Sequence, residues 1–440
     1  TKEGVDRAIN IIDSTDIKFL PRVECQLPDT KIWKIAMWGN IADFHLISKL
    51  SKIHSNVKSF IKERKMSFGV GLQPLNKSTI KPIVDNDISN LKFIRPERIS
   101  KYFTPDTSFS DINSAIKDKE TIAEYLKYYK KNNILDLPQI NVFRRLGKKE
   151  VYKGPMLLVK EGFKDNEFCA SLVNASVAYN STVLGIHSEQ LEDLRMLSSM
   201  LNSKLAAYYL LMISSSWGIE RERIKPNEVY TLPLQFSESD FKDLVSLHEQ
   251  IEDTINSNPL IIRDADNEKN IEKIILRSFH LSQRDICLIE DFLCQSIDIF
   301  YKKEKSIAFR RVSSDENMIY AKMLHQELND FYSEANHKVN ITVYDVQRYD
   351  PLNLVVLQFC NAEKPIDVKP TNELSSLLKE LDKYSIQEKG KNLYVQKQFR
   401  YYDKDKIYLI KPNQKRFWTR SQAIDDALSL IVEIANMETK

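Results

Sequence analysis

Between Leu191 and Met212 one apolar face recurs at three- and four-residue steps: Leu191, Leu194, Leu197, Leu201, Leu205, Tyr208 and Met212. That spacing predicts one helix of more than about five turns. The helix runs into "SSSWGIERERIKPNEVYTLPL": three serines, a Trp-Gly pair, a charged step, and a proline-punctuated segment, "EVYTLPL", expected as the last strand of its domain. The apolar stretch from Leu205 to Ile213 is far shorter than the ~20 residues a membrane span needs. A helix so apolar must therefore be buried in protein, bracing the small, polar, basic hook at its end.

The rest of the chain sorts into segments around this element. Residues 1–65 read as a helical lead, with Ile35, Trp38, Ala42, Leu46 and Leu50 on one face and Gly39-Asn40 as a break or cap. The lead closes on the basic "KSFIKERK". Residues 66–236 read as a mixed α/β or α+β domain: short β-like runs with prolines between them, a helical 111–131, then three strands turning at Gly154-Pro155 and Asn180-Ser181. Residues 237–310 read as a helical connector. Ser237-x-x-Asp240 and Ser282-x-x-Asp285 open its helices, and "KKEKSIAFRRVSSDEN" closes it as a solvated linker. Residues 311–440 read as a small α+β domain: a helix through Tyr320, Leu324, Leu328 and Phe331, strands "VNITVYD" and "LNLVVLQF", a helix at 372–384, strands "NLYVQKQF" and "KIYLIK", and a last helix at 421–436. The expected fold class is thus mixed, or α+β.

Reaction chemistry is hard to find in these residues. Phosphate-loop, dinucleotide, zincin and nucleophile-elbow motifs are absent from the sequence. The seven histidines lack ligand spacing, and the five cysteines are odd in number and widely spaced, as in a reduced intracellular protein. No metal site is expected. "SFGVGLQP" is similar to a methyltransferase glycine turn, but no Asn-Pro-Pro-Tyr or Asp-Pro-Pro-Tyr follows, and it reads first as a plain strand-turn. Asn258-Pro259-Leu260 lacks an aromatic to stack on a flipped base. Pro28-Asp29 with Glu63-Arg64-Lys65 spells a nuclease cluster only loosely, because Glu63 sits in a helical, basic stretch.

Recognition chemistry remains. With 64 Lys+Arg against 61 Asp+Glu, overall charge does not announce a polyanion partner, so local clusters carry the inference. Arginine forks and serine hydroxyls suit phosphates and base edges. Ser215, Ser216, Trp217, Arg221, Arg223 and Lys225 in the hook are therefore candidate DNA contacts, with Trp217 readable as either a base platform or a core residue. Lys77 and, in "RPERISKYF", Arg95, Arg98 and Lys101 join them. A second candidate patch lies in 397–420, where eight basic residues face two acids. Arg400, Lys411, Lys415, Arg416 and Arg420 are its candidate contacts, with a solvated strand face as the other reading.

From Asn202-Ser203-Lys204 through Ser214-Ser215-Ser216-Trp217-Gly218, Arg221-Glu222-Arg223-Ile224 and Pro226-Asn227-Glu228-Val229 to Leu232-Pro233, the order resembles the TaqI-type target-recognition region of N6-adenine DNA methyltransferases and fused restriction-modification enzymes. "YNSTVLGIHSE", "IEKIILRSFHLSQRDICLIEDF" and "IWKIAMWGNIADFHLISKL" resemble segments flanking that region, so the likeness spans about 30–300. His280 stands where a small residue is commoner.

The resemblance implies a DNA-recognition part of a phage-defence enzyme, non-catalytic by itself. Double-stranded DNA would be its partner. S-adenosylmethionine would belong only to the catalytic domain, expected before Thr1, and a methyltransferase or nuclease domain or subunit would be a further partner. A cytoplasmic protein is expected. The alternative is a scaffold subunit of a defence complex whose basic faces bind acidic proteins.

Overall fold

The computed structural model describes residues 20, 22–27, 31–74, 83–112, 127, 130–131, 142–162, 167–218, 223–258, 263–335, 337–344, 352–370, 372–373, 376 and 399–438. The fold is mixed α+β. Two compact units divide the chain: residues 28–35 with 44–282, and residues 1–27 and 36–43 with 283–440.

Helices α1 (Lys31–Trp38) and α2 (Ile41–Ser51) each have residues assigned to both units, and α3 (Val57–Glu63) belongs to the first. Asn56 and Ser59 form a reciprocal capping box at the start of α3. The main sheet has five strands: β1 (Ser67–Val70), β5 (Tyr102–Phe103), β8 (Met156–Lys160), β9 (Ala170–Val173) and β11 (Val183–His187), in the order β1-β11-β8-β9-β5. All neighbours are antiparallel except β5 with β9. Strands β8, β9 and β11 are apolar and buried at nearly every position, as expected where both faces of a sheet are covered.

Two three-stranded sheets complete the unit. One is β10 (Val177–Tyr179), β4 (Lys92–Ile94) and β6 (Ser110–Asp111); the other is β2 (Gln73–Pro74), β7 (Val142–Arg145) and β3 (Ile83–Val84). The segment expected to yield three strands thus yields four, because Asn174–Ser176 interrupt it and β10 leaves for another sheet. "SFGVGLQP" is a strand-turn. A Cβ on Gly71 would lie 2.2 Å from the Tyr179 carbonyl, so only glycine fits there.

The single long helix expected from Leu191 is two, α4 (Leu191–Leu201) and α5 (Lys204–Ile213). Polar side chains divide them. Asn202 Oδ1 accepts from Ala170 N at 3.0 Å while its Nδ2 donates to Ala170 O at 2.7 Å, fastening the break to β9. Ser203 caps α5 by accepting from Ala206 N at 3.0 Å. The long-range Asn202 bonds and the local Ser203 cap together replace helix continuation here. Every residue of α5 from Leu205 to Ile213 is buried, so the helix is enclosed on all sides.

"EVYTLPL" is not a strand. Pro226 and Glu228 instead start a one-turn helix, α6 (Pro226–Val229), and pairing is limited to an isolated bridge between Pro233 and Asn56. Helices α7 (Glu238–Ser257), opened by the predicted Ser237/Asp240 box, and α8 (Ala265–Ser278) pack together, with α7 also against α4.

In the second unit, α9 (Gln283–Asp291) continues through a π-turn at Phe292–Ser296 into α10 (Ile297–Lys302). The expected linker is exposed from Lys302 to Lys305 but anchored beyond that point. The Asp298 carboxylate accepts from Ser306 Oγ (2.6 Å) and Ile307 N (2.8 Å), and Ser306, Ala308 and Val312 are buried. Helix α11 (Ser314–Phe331) follows, with its own Ser313/Glu316 capping box.

Strands β12 (Lys338–Tyr344), β13 (Leu352–Cys360), β14 (Asp367–Lys369), β15 (Phe399–Asp403) and β16 (Lys406–Pro412) form a sheet in the order β14-β12-β13-β16-β15. Helix α12 (Arg420–Glu438) packs on α11, and both share a core with the alternate side chains of β12, β13 and β16. Most of the helices expected at 111–131 and 372–384, and most of "NLYVQKQF", lie outside the described residues.

Candidate nucleic-acid interface

Helix α5 ends at Ser214, whose Oγ accepts from Trp217 N at 3.1 Å and Ser216 N at 3.3 Å. Gly218 then takes φ +74°, a left-handed turn that suits glycine. This geometry folds Trp217 inward. Its ring is fully buried, with Lys34 Nζ 4.9 Å from the ring centroid. Lys34 itself is 2% exposed and donates to Ser214 O at 2.6 Å. Loss of water pulls its ammonium down from 10.5 to about 7, with Glu228 opposing part of that shift.

The Glu228 carboxylate closes the hook. Its Oε1 accepts from Ser215 N (2.7 Å) and Ser215 Oγ (2.8 Å), and its Oε2 from Lys225 N (2.8 Å); Lys225 Nζ donates to Ser215 Oγ at 3.1 Å. Arg223 is committed elsewhere, donating through Nε to Glu161 Oε2 at 2.6 Å. Burial raises the Glu161 carboxyl, and Arg223 pulls it back.

The hook therefore corrects part of the sequence reading. Trp217 and Ser216 are core, because the serine run turns them inward, and Arg223 is held by a carboxylate. Ser215 and Lys225 remain exposed, side by side. Arg221 lies outside the described residues, as does Lys77.

Arg95 and Arg98 are exposed around the short 3-10 turn Pro96–Arg98. Lys101 is mostly covered and pairs with Glu167 at 3.3 Å, in a cluster with Arg263 and Glu268. No hydrogen bond, ion pair or ring contact among the described residues joins these three to the hook.

The second patch is corrected more sharply, because four of its five charges are paired with carboxylates and Lys411 is buried. Arg400 pairs with Glu433 at 2.7 Å and lies 3.6 Å from Asp426. Lys411 is buried against Asp426, with the rings of Tyr320 and Trp418 5.2 and 5.6 Å from its Nζ, and burial lowers its pKa. Lys415 pairs with Glu316 at 2.9 Å, and Arg420 with Glu290. Arg416 lies over Phe309 and Phe417 at 4.7 and 4.6 Å. This stretch holds its own unit together.

The basic "KSFIKERK" is not among the candidate DNA contacts expected from sequence. Lys58, Lys62 and Lys65 are all exposed, and none has a carboxylate within 4.0 Å among the described residues. Lys58 and Lys62 share one face of α3, and Lys65 follows in a left-handed turn at φ +53°. Their signal was the four-residue spacing of lysines with no acid at the same step. Arg64 differs: it lies 3.6 Å from Asp193.

A cleft of about 740 Å³ opens in the same unit, between Phe60, Met196, Phe236, Phe241 and Val245. Glu192, Glu238 and Glu249 line it against Arg64 and Lys242, a balance that does not favour a polyanion. Among the described residues no group of three or more His, Cys, Asp or Glu gathers as a metal site. No described helix is long and apolar enough to cross a membrane.

No family model and no curated protein matches the sequence. Among solved structures, the chain is similar to the type IIL restriction-modification enzyme MmeI, in complex with DNA, at 13% identity and a TM-score of 0.35, over 54% of this chain and 35% of that one. It is also similar to the type IIG restriction endonuclease BpuSI at 10% identity and a TM-score of 0.33, over 60% of this chain and 33% of that one. The chain spans about a third of the length of each.

Proposed function

We propose that residues 28–282 are the DNA-recognition part of a restriction-modification enzyme or N6-adenine DNA methyltransferase, and that this part carries no catalytic step of its own. One observation supports the reading above the others. Lys58, Lys62, Lys65 and Lys225 are exposed on a rigidly braced surface with no carboxylate partner among the described residues. Such cations attract phosphates at long range and position a duplex without reading its sequence. Arg95 and Arg98, exposed on a separate turn, are the candidates for base edges, since a guanidinium fork donates to guanine O6 and N7 together.

Burial of α5 gives this surface its stiffness: an enclosed helix fixes Ser214, and the Glu228 clasp fixes Ser215 and Lys225. S-adenosylmethionine would bind a separate catalytic domain or subunit. The test is duplex binding by the whole chain at 50 and 200 mM salt. Release of counterions from several phosphates gives a loss of about tenfold or more across that range. Salt-independent binding, or none at 50 mM, would reject a DNA role and favour an acidic protein partner.

A further inference from the structure

Phe68 is 41% exposed on β1, an edge strand with only β11 beside it. Its ring is held in place, meeting Tyr230 edge to face with centroids 5.0 Å apart and planes at 73°. Tyr230 is half-buried, and burial pushes its hydroxyl up to about 12, so the pair is uncharged at neutral pH.

The surroundings are cationic. Lys58 N donates to Tyr230 O at 3.1 Å and Val57 N to Leu232 O at 3.0 Å, fixing the start of α3 beside the tyrosine. Lys58, Lys62 and Lys65 follow at four- and three-residue steps. Lys225 stands at the other end of α6 from Tyr230, about 8 Å away along the helix at 1.5 Å per residue. Of the nearby acids, the Glu228 carboxylate is engaged by Ser215 and by Lys225 N, and Glu63 sits about 100° round the helix from Lys62.

We infer that Phe68, backed by Tyr230, is a stacking ledge for an unpaired nucleobase, with the surrounding lysines receiving the phosphates on either side of it. The inference rests on the DNA reading above and adds what the surface grips. A fixed aromatic face between cations matches the alternation of π-face and phosphate along a nucleic-acid strand. Because every base has a π-face, such a ledge tolerates any sequence. A protein partner would need more apolar area than one phenyl ring supplies.

The experiment compares two duplexes of equal length with the whole chain, one fully paired and one carrying a single bulged 2-aminopurine. The ledge predicts about five- to tenfold tighter binding of the bulged duplex, with its fluorescence quenched on binding. Phe68→Leu should abolish both the preference and the quench while leaving paired-duplex affinity within about twofold; Phe68→Trp should retain them. Equal affinity of the unaltered protein for both duplexes, or quenching that survives Phe68→Leu, overturns the ledge alone. Failure to bind either duplex overturns the DNA reading beneath it.

Discussion

Two stretches of this chain carry dense positive charge, and they use it in opposite ways. In 397–420, Arg400, Lys411, Lys415 and Arg420 each meet a carboxylate supplied by α9, α11 or α12. In 57–65, the lysines of α3 and its following turn meet none among the described residues. Within the Debye length of about 8–10 Å a paired cation leaves little net field, whereas an exposed unpaired one still attracts anions. Charge density along a sequence is therefore a poor guide to charge at a surface. The acids that quench the C-terminal stretch lie as much as 130 residues away.

The largest effects should come from groups that look like ligand contacts in sequence and are core in the fold. Trp217→Ala empties a fully buried site and should cost about 3–5 kcal/mol in urea unfolding; a change below 1 kcal/mol would mean the ring is not core. Lys411→Ala removes the buried ammonium beside Asp426, leaving Tyr320 Oη and Arg400 as its partners, and should cost about 2–3 kcal/mol. If it instead lowered duplex affinity in a folded protein, the contrast between the two stretches would collapse.

Lys34 gives a pH signature. Its folded pKa is about 7 against an ordinary 10.5, so between those values the unfolded chain binds more protons. Stability should then rise with pH across that window, by up to about 1.4 kcal/mol per unit. Lys34→Met should flatten the rise; an identical slope in the variant would place its ammonium in water. Glu228→Ala, which frees two backbone N–H groups of the hook, should cost about 1–2 kcal/mol and weaken duplex binding through Lys225. Unchanged unfolding would show that the clasp is not holding the hook.

Local signals made much of the fold legible. The Ser237/Asp240 box, the Gly39-Asn40 break, the final helix and strands β12, β13 and β16 of the C-terminal sheet are all written in neighbouring residues. What was missed depends on distant partners. The break at Asn202 is decided by Ala170, 32 residues away, and the 303–313 segment is drawn in by Asp298. For the candidate site, the braced helix and polar hook were readable, but which hook residues face outward was not. The Glu161 that takes Arg223 lies 62 residues away, and the local Ser214 turn buries Trp217 only because Lys34 and the core receive its ring.

The smallest effect on stability should accompany the largest on binding. Lys58→Ala, Lys62→Ala and Lys65→Ala together remove only exposed ammonium groups and should shift unfolding by less than about 0.5 kcal/mol per site. The decisive measurement is the slope of log K against log salt for duplex DNA with this triple variant, beside Lys415→Ala with Arg420→Ala. The triple variant should lose about two to three units of slope, at roughly 0.9 per phosphate contact, and the C-terminal pair none. A slope unchanged in the first variant and reduced in the second would contradict the account.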